Sequence, residues 1–279
     1  MNTNRNIADY YNQTLNHYKN WWRLDNNLSV HYGIWDNGTR NFQESLLNTN
    51  KVLANFANVV TGERVLDAGC GVGGSSFYLA KECNVVVEGI TLSEKQYEYA
   101  KKAKDSLGID NQVTFSIQDY TNTNFKDESF DLIWAIESVT SAPDKGRFAK
   151  EAMRLLVPGG KLIIADYFKA DNDVQDTGNL LEKWRTLWSM ARFLTLDEYC
   201  SAFSKEGFKL NSQKDVTENI KPTAKRMYMS YLFGGPFAVA YNLLNRPSPF
   251  AKNHYKSGLY QYKALKKGLW SYNILLFQK

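Results

Sequence analysis

The chain has 279 residues, 43% of them hydrophobic and 23% charged, with a net charge of +5. That length admits one large domain, or a domain with a smaller cap, and the composition excludes a disordered protein. No apolar run reaches the ~20 residues that span a bilayer; the nearest, Met227 to Asn245, is interrupted by Gly234, Gly235 and Pro236.

The opening "MNTNRNIADYYN" is polar and reads as no secretory leader. Residues 1–58 are predicted as an aromatic-rich helical segment, with Tyr10, Tyr11, Tyr18, Trp21, Trp22, Tyr32 and Trp35 close together. Arg64 to Ala68 is the first strand candidate, and Gly74 to Lys81 opens a helix. Asn84 to Ile90 is a β-branched run suited to a strand buried on both faces. Ser93 to Leu107 is a helix whose Ser93-Glu94-Lys95-Gln96 start fits a capping box, with Gly108 as its stop. Gln112 to Asp119 and Phe130 to Glu137 are the third and fourth strands, Asp144 to Leu156 a helix ended by "VPGG", and Lys161 to Phe168 the fifth strand. This β-α-β repetition predicts an α/β fold with a doubly wound parallel sheet and a cofactor-binding core over residues 59–169.

Beyond the core the pattern changes. Residues 170–194 and 220–265 read as helical lid insertions, and 195–219 and 266–279 as the remaining core helix and strands. Thr195 caps a helix that Gly207 ends, and the chain closes on "LWSYNILLFQK", predicted to make the sheet edge antiparallel.

Val65 to Ser76 reads "VLDAGCGVGGSS", four glycines behind a short apolar run. Glycine at that density is costly in regular structure, so something must approach the backbone closely. Gly69 to Gly74 also fits G-x-G-x-x-G, which leaves a nicotinamide dinucleotide open. Asp67, two residues before Gly69, is awkward beside phosphates resting on a helix start, whereas an ammonium group would welcome it. Cys70, Cys83 and Cys200 have neither metal spacing nor even pairing, so no metal site and a reducing, cytoplasmic setting are expected. The basic and aromatic stretch Ala251 to Lys267 matches no nucleic-acid motif.

Asp67-Ala68-Gly69-Cys70-Gly71 resembles the D-x-G-x-G motif of class I S-adenosylmethionine-dependent methyltransferases, and Leu155 to Phe168, "LLVPGGKLIIADYF", resembles the continuation of that fold. The resemblance implies S-adenosylmethionine as cofactor and a seven-stranded, mostly parallel, Rossmann-like sheet with the cofactor over the ends of the first four strands. "VEGITLSEKQ", Val87 to Gln96, is similar to the small-molecule branch of tocopherol, sterol and prenyl diphosphate methyltransferases. The implied cofactor contacts are Asp67, Gly69, Cys70 and Gly71 at the loop, with Thr91 and Gln96 at the ribose. Asp119 takes the adenine, and Tyr120 lies beside it. Gln96 has two readings, helix cap and cofactor contact.

Ala135 to Lys145, "AIESVTSAPDK", resembles the sterol and tocopherol stretches after the fourth strand. Glu137 is retained there as base or cation stabiliser, against the plainer reading of a helix-start acid. Ser141 stands where those patterns have a histidine, and Thr140 where the sterol pattern has a cysteine. Only His17, His31 and His254 remain to substitute. Tyr18 and His31 join Glu137 as candidate catalytic residues, and Tyr11 and Trp35 join the cofactor set, because aromatic faces hold a sulfonium or a carbocation. The implied function is C- or O-methylation of a hydrophobic small molecule (sterol-like, prenyl or quinol-like). A catalytically inactive cofactor-binding partner and a nicotinamide oxidoreductase are the alternatives. No nucleic-acid partner is expected; peripheral membrane contact and a homodimer stay open.

Overall fold

The computed structural model describes residues 4–109, 111–171, 173–245 and 247–279; the side chains of Asn20 and Trp21 lie outside the described residues. The N-terminal stretch forms α1 (Asn4–Trp22), α2 (Leu24–Asn27) and α3 (Phe42–Ala57). Asn41 starts α3 by accepting from the Glu44 amide, and Asn58 ends it in the left-handed region at φ 48°. Helix α1 buries Tyr10, Tyr18 and Trp22 against the rest of the molecule.

The core alternates as its periodicity predicts: β1 (Arg64–Ala68), α4 (Gly74–Cys83), β2 (Val86–Thr91), α5 (Glu94–Leu107), β3 (Val113–Ile117), β4 (Phe130–Ile136), α6 (Lys145–Leu155) and β5 (Leu156–Lys169). Ser93 caps α5 alone, its Oγ accepting from the Gln96 amide at 3.2 Å. The Gln96 side chain turns to Thr91 instead, so the reciprocal half of the capping box is not made. Helix α6 stops just before "VPGG", as expected, but β5 starts at once at Leu156 rather than at Lys161. Phe130 pairs with Leu156, and the Lys279 amide donates to Gly160, so neighbouring strands hold this stretch extended.

The chain continues through α7 (Leu180–Leu187), α8 (Leu196–Lys205), β6 (Lys209–Asp215), α9 (Thr217–Leu244), α10 (Pro249–Asn253), α11 (Ser257–Lys266) and β7 (Trp270–Gln278). Thr195 and Glu198 form a complete capping box at α8. Helix α9 runs on through Gly234, Gly235 and Pro236.

The seven strands form one sheet in the order β3-β2-β1-β4-β5-β7-β6. Strands β1 to β5 are parallel, and β7 runs antiparallel to both its neighbours. The final strand is therefore not at the edge; β6 is. Composition explains the choice. Strand β7, "WSYNILLFQ", is buried on both faces, whereas the polar β6, "KLNSQKD", is exposed along most of its length. The strand order reverses direction at β1, between β2 and β4, which opens a crevice above their C-terminal ends.

Candidate active site

That crevice is lined by the loop after β1, the turn after β4, the end of β2 and the inner face of α1. Gly69, Gly71 and Gly73 have φ of 92°, 56° and 89°, conformations that glycine adopts without strain. A Cβ on Gly69 would stand 2.4 Å from Ser138 Cβ, one on Gly73 2.6 Å from the Phe115 ring, and one on Gly74 2.1 Å from the Leu28 carbonyl oxygen. The chain's own β3, β4 turn and N-terminal segment thus press on three of the four glycines. An added Cβ on Gly71 would meet only Val30 Cγ2 at 3.3 Å and Gln96 Nε2 at 3.9 Å.

Asp67 lies beneath this loop, away from the cavity lining. Its Oδ2 accepts from Ser76 Oγ at 2.6 Å, and burial pushes its carboxyl up to about 7 against the pull of the Ser76 hydrogen bonds. It ties β1 to the start of α4. Cys70 lines the cavity, and burial raises its thiol well above the usual range. Thr91 Oγ1 donates to Gln96 Oε1 at 2.8 Å, which leaves the Gln96 amide nitrogen as the donor at this wall. Tyr120 lines the cavity and donates to the Ser138 carbonyl at 2.9 Å.

Two further expected contacts are also placed outside the lining. Asp119 Oδ1 accepts from the Thr121 amide and hydroxyl, and its Oδ2 accepts from Asn4 of α1 at 2.6 Å; the residue is outside the lining. Trp35 donates from Nε1 to Thr223 Oγ1 at 3.0 Å, so its ring brackets the N-terminal segment to α9 rather than facing the cavity. The helix that would have brought Trp35 to the crevice ends at Trp22, and after His31 the chain leaves the crevice, so that the Trp35 carbonyl accepts from Asn219 of α9.

Glu137 follows β4 with a left-handed φ of 51°. Such a conformation costs about 1–3 kcal/mol for a residue with a side chain, and the surroundings over-determine it. The Tyr32 amide donates to Oε1 at 2.6 Å, the Tyr272 hydroxyl to Oε1 at 2.8 Å, and the Tyr167 hydroxyl to Oε2. Burial pushes the carboxyl up to about 8, while these three donors pull it down. Tyr167 and Tyr272 stand opposite each other in the β5–β7 ladder, so the sheet itself positions two of the donors.

His31 lines the same cavity. Its Nδ1 lies 2.9 Å from the Tyr32 carbonyl oxygen, which can only accept, so Nδ1 carries the proton. Nε2 is then a bare acceptor, buried and without a partner. Burial lowers the imidazole to about 4, which keeps it neutral near pH 7. Ser138 Oγ and Trp188 Nε1, on the same walls, are also buried without partners. Native interiors seldom leave three such atoms around one space. Tyr11 shares a hydrogen bond with the Ser141 hydroxyl, so the position without the family histidine is closed by a phenol from α1.

Ser138 and Val30, and the roles of Tyr32, Tyr167 and Tyr272 as donors to Glu137, do not follow from the sequence patterns. The tyrosines meet only because β7 enters beside β5, which no local pattern announces.

Tyr18 joins this cavity to a second space. Its hydroxyl lies 2.9 Å from that of Tyr10, which in turn lies 2.9 Å from His254 Nε2. Beyond Tyr18 is a groove of about 790 Å³ between α1, α9 and α10, walled by Trp22, Phe42, Met227, Phe237 and Tyr241. Trp184, within the 170–194 stretch read as a lid insertion, is instead packed in the core against Tyr167 and Trp270 at centroid distances of 5.1 and 4.9 Å.

The unpartnered donors and acceptors, together with the bare face of Gly71, suit a nucleoside carrying charged and hydroxyl groups. Only about 90 Å³ is free among them, room for a handful of waters. Admitting such a molecule requires a wall to move, and α1, which reaches the cavity through Ile7, Tyr10, Tyr11 and Tyr18, is a wall contributed from outside the sheet. It is latched by Asn12, whose Oδ1 accepts from Ser93 Oγ at 2.7 Å and from the Lys95 amide at 3.2 Å.

Residues 66–164 match the family model described as a methyltransferase domain. The chain is 33% identical to the methyltransferase GfsG of Streptomyces halstedii over 78% of each chain. It is 27% identical to the chloroplastic tocopherol O-methyltransferase of Arabidopsis thaliana over 78% of this chain and 67% of that one. The solved structure of the [4+2]-cyclase SpnF superposes with a TM-score of 0.83 at 20% identity, over 99% of this chain and 96% of that one. The cyclase establishes the fold alone; the sequence relatives establish the chemistry. The chain belongs to the S-adenosylmethionine-dependent small-molecule methyltransferases, and S-adenosylmethionine is its cofactor.

Proposed function

We propose that this enzyme methylates a hydrophobic small molecule of sterol-like, prenyl or quinol-like character, at oxygen or carbon. The observation that carries this reading is the aromatic groove of about 790 Å³ that meets the polar cavity at Tyr18. A space of that size and lining buries most of a lipid-sized molecule. When bound, S-adenosylmethionine supplies a methyl group on a positively charged sulfur.

The chain's own residues do the rest. Gly71, Gln96 and Ser138 would hold the cofactor, and Tyr11 and Tyr18, which line the same cavity, would exclude water from it. For an oxygen nucleophile, His31 Nε2 accepts the hydroxyl proton. Glu137, anchored by three donors, presents its carboxyl to a developing cation; because burial holds its proton up to about pH 8, the negative charge it offers grows as pH rises toward that value. The base thus comes from the N-terminal segment, in place of the histidine that Ser141 replaces.

Calorimetric titration with S-adenosylhomocysteine tests the cofactor site: micromolar binding is expected, with no heat from NADH, and a null titration would sink the reading. A labelled-methyl assay on phenolic and prenylated acceptors then tests the base. His31→Ala should lower kcat by ~10²–10⁴ on a hydroxyl acceptor with KM little changed. An unaltered kcat would remove His31 from the chemistry.

A further inference from the structure

The last three turns of α9 project from the molecule with their apolar side chains uncovered. Phe233 is 70% exposed, Phe237 77%, Leu243 82% and Leu244 85%, with Leu232, Val239 and Tyr241 exposed beside them. In this stretch only Gly234 and Gly235 are buried, near the Tyr255 ring. A soluble surface seldom leaves so many large apolar groups together unless something covers them. Leu232 to Leu244 spans about 20 Å of helix, and among the described residues no helix is long and apolar enough to cross a membrane.

Charge identifies the cover. After Glu218 the sequence contains ten lysines and arginines and not one aspartate or glutamate. Lys252 lies next to the apolar tip, because its carbonyl accepts from Asn242 of α9 at 2.8 Å, and Lys256 follows on the same segment. A second copy docking through this face would set two acid-free, cationic surfaces against each other. An anionic surface would be attracted to both features at once.

We propose that the α9 tip and the α10 segment form a monotopic docking surface for an anionic lipid bilayer, with the apolar side chains of α9 entering the headgroup region. Phe237 and Tyr241 belong both to this tip and to the wall of the aromatic groove, so the groove opens where the bilayer would lie. A hydrophobic acceptor then passes from lipid into the groove without crossing water. That last step rests on the proposed function; the docking itself does not.

The test is co-sedimentation of the full chain, without cofactor, with phosphatidylcholine vesicles and with phosphatidylcholine–phosphatidylglycerol vesicles. Partitioning at least tenfold stronger onto the anionic vesicles is expected, weakened by 0.5 M salt. The double variant Leu243→Glu, Leu244→Glu should lose at least tenfold of that binding. Leu47→Glu, an exposed site on α3, should bind as the parent does, and circular dichroism checks that each variant is folded. Equal binding to both vesicle types, or binding indifferent to the double variant, would overturn the proposal. So would a dimer of the parent chain that the double variant converts to monomer without any vesicle binding. A chain that docks on vesicles but does not bind S-adenosylhomocysteine would leave docking standing and remove the methyl-transfer role.

Discussion

Glu137 shows how one residue can be legible in chemistry and illegible in geometry. Its place after β4 follows from the "AIE" motif, but its left-handed backbone and its three donors come from segments far apart in sequence. Its raised carboxyl has a consequence for stability. Between its ordinary value near 4.5 and about 8 the native state holds a proton that the unfolded chain has lost. The stability this group contributes is therefore full below about 4.5 and falls as pH rises toward 8. Asp67, raised to about 7 by burial, acts in the same direction. Glu137→Gln should flatten the fall of Tm between pH 5 and 8, because the amide cannot ionise; its oxygen still accepts from Tyr32 and Tyr272, and its NH2 donates to the Tyr167 hydroxyl oxygen in the reversed sense. The same variant should lower kcat by at least ~10². Parallel Tm–pH curves for parent and variant would show that Glu137 does not titrate in this window.

At the scale of elements, local rules were readable and distant ones were not. The caps Ser93, Asp144 and Thr195 each accept the amide hydrogen bonds their residue types predict. The bracket between Trp35 and Thr223 joins residues 188 apart, so no window of sequence contains it. Thr223 is fully buried and also donates to the Gly33 carbonyl at 3.0 Å. Thr223→Val would leave a donor and an acceptor unsatisfied, and should cost about 1–3 kcal/mol in urea unfolding. A smaller loss would mean that water reaches the site. Helix α1 makes a second prediction. Asn12→Ala removes its latch on α5 and should speed both entry and release of S-adenosylhomocysteine about 2–10-fold in stopped-flow. Unchanged rates would place the gate elsewhere than α1.

For the whole molecule, the parallel half of the sheet follows from β-α-β alternation, while the other half depends on which strand takes the inside position. Apolar β7 takes it and polar β6 is left at the edge. That arrangement also sets an order of events during synthesis. A nascent chain that has emerged past Lys169 already carries β1 to β5 and the glycine loop, enough to begin a cofactor pocket. It lacks β7, and with it the Tyr272 hydroxyl and the strand that fixes Tyr167. On the ribosome, then, the early chain can assemble a place for the methyl donor long before it has an anchored Glu137. The reactive end of the enzyme is completed only when the final strand pairs with β5 and gives β6 the one neighbour it has in the sheet.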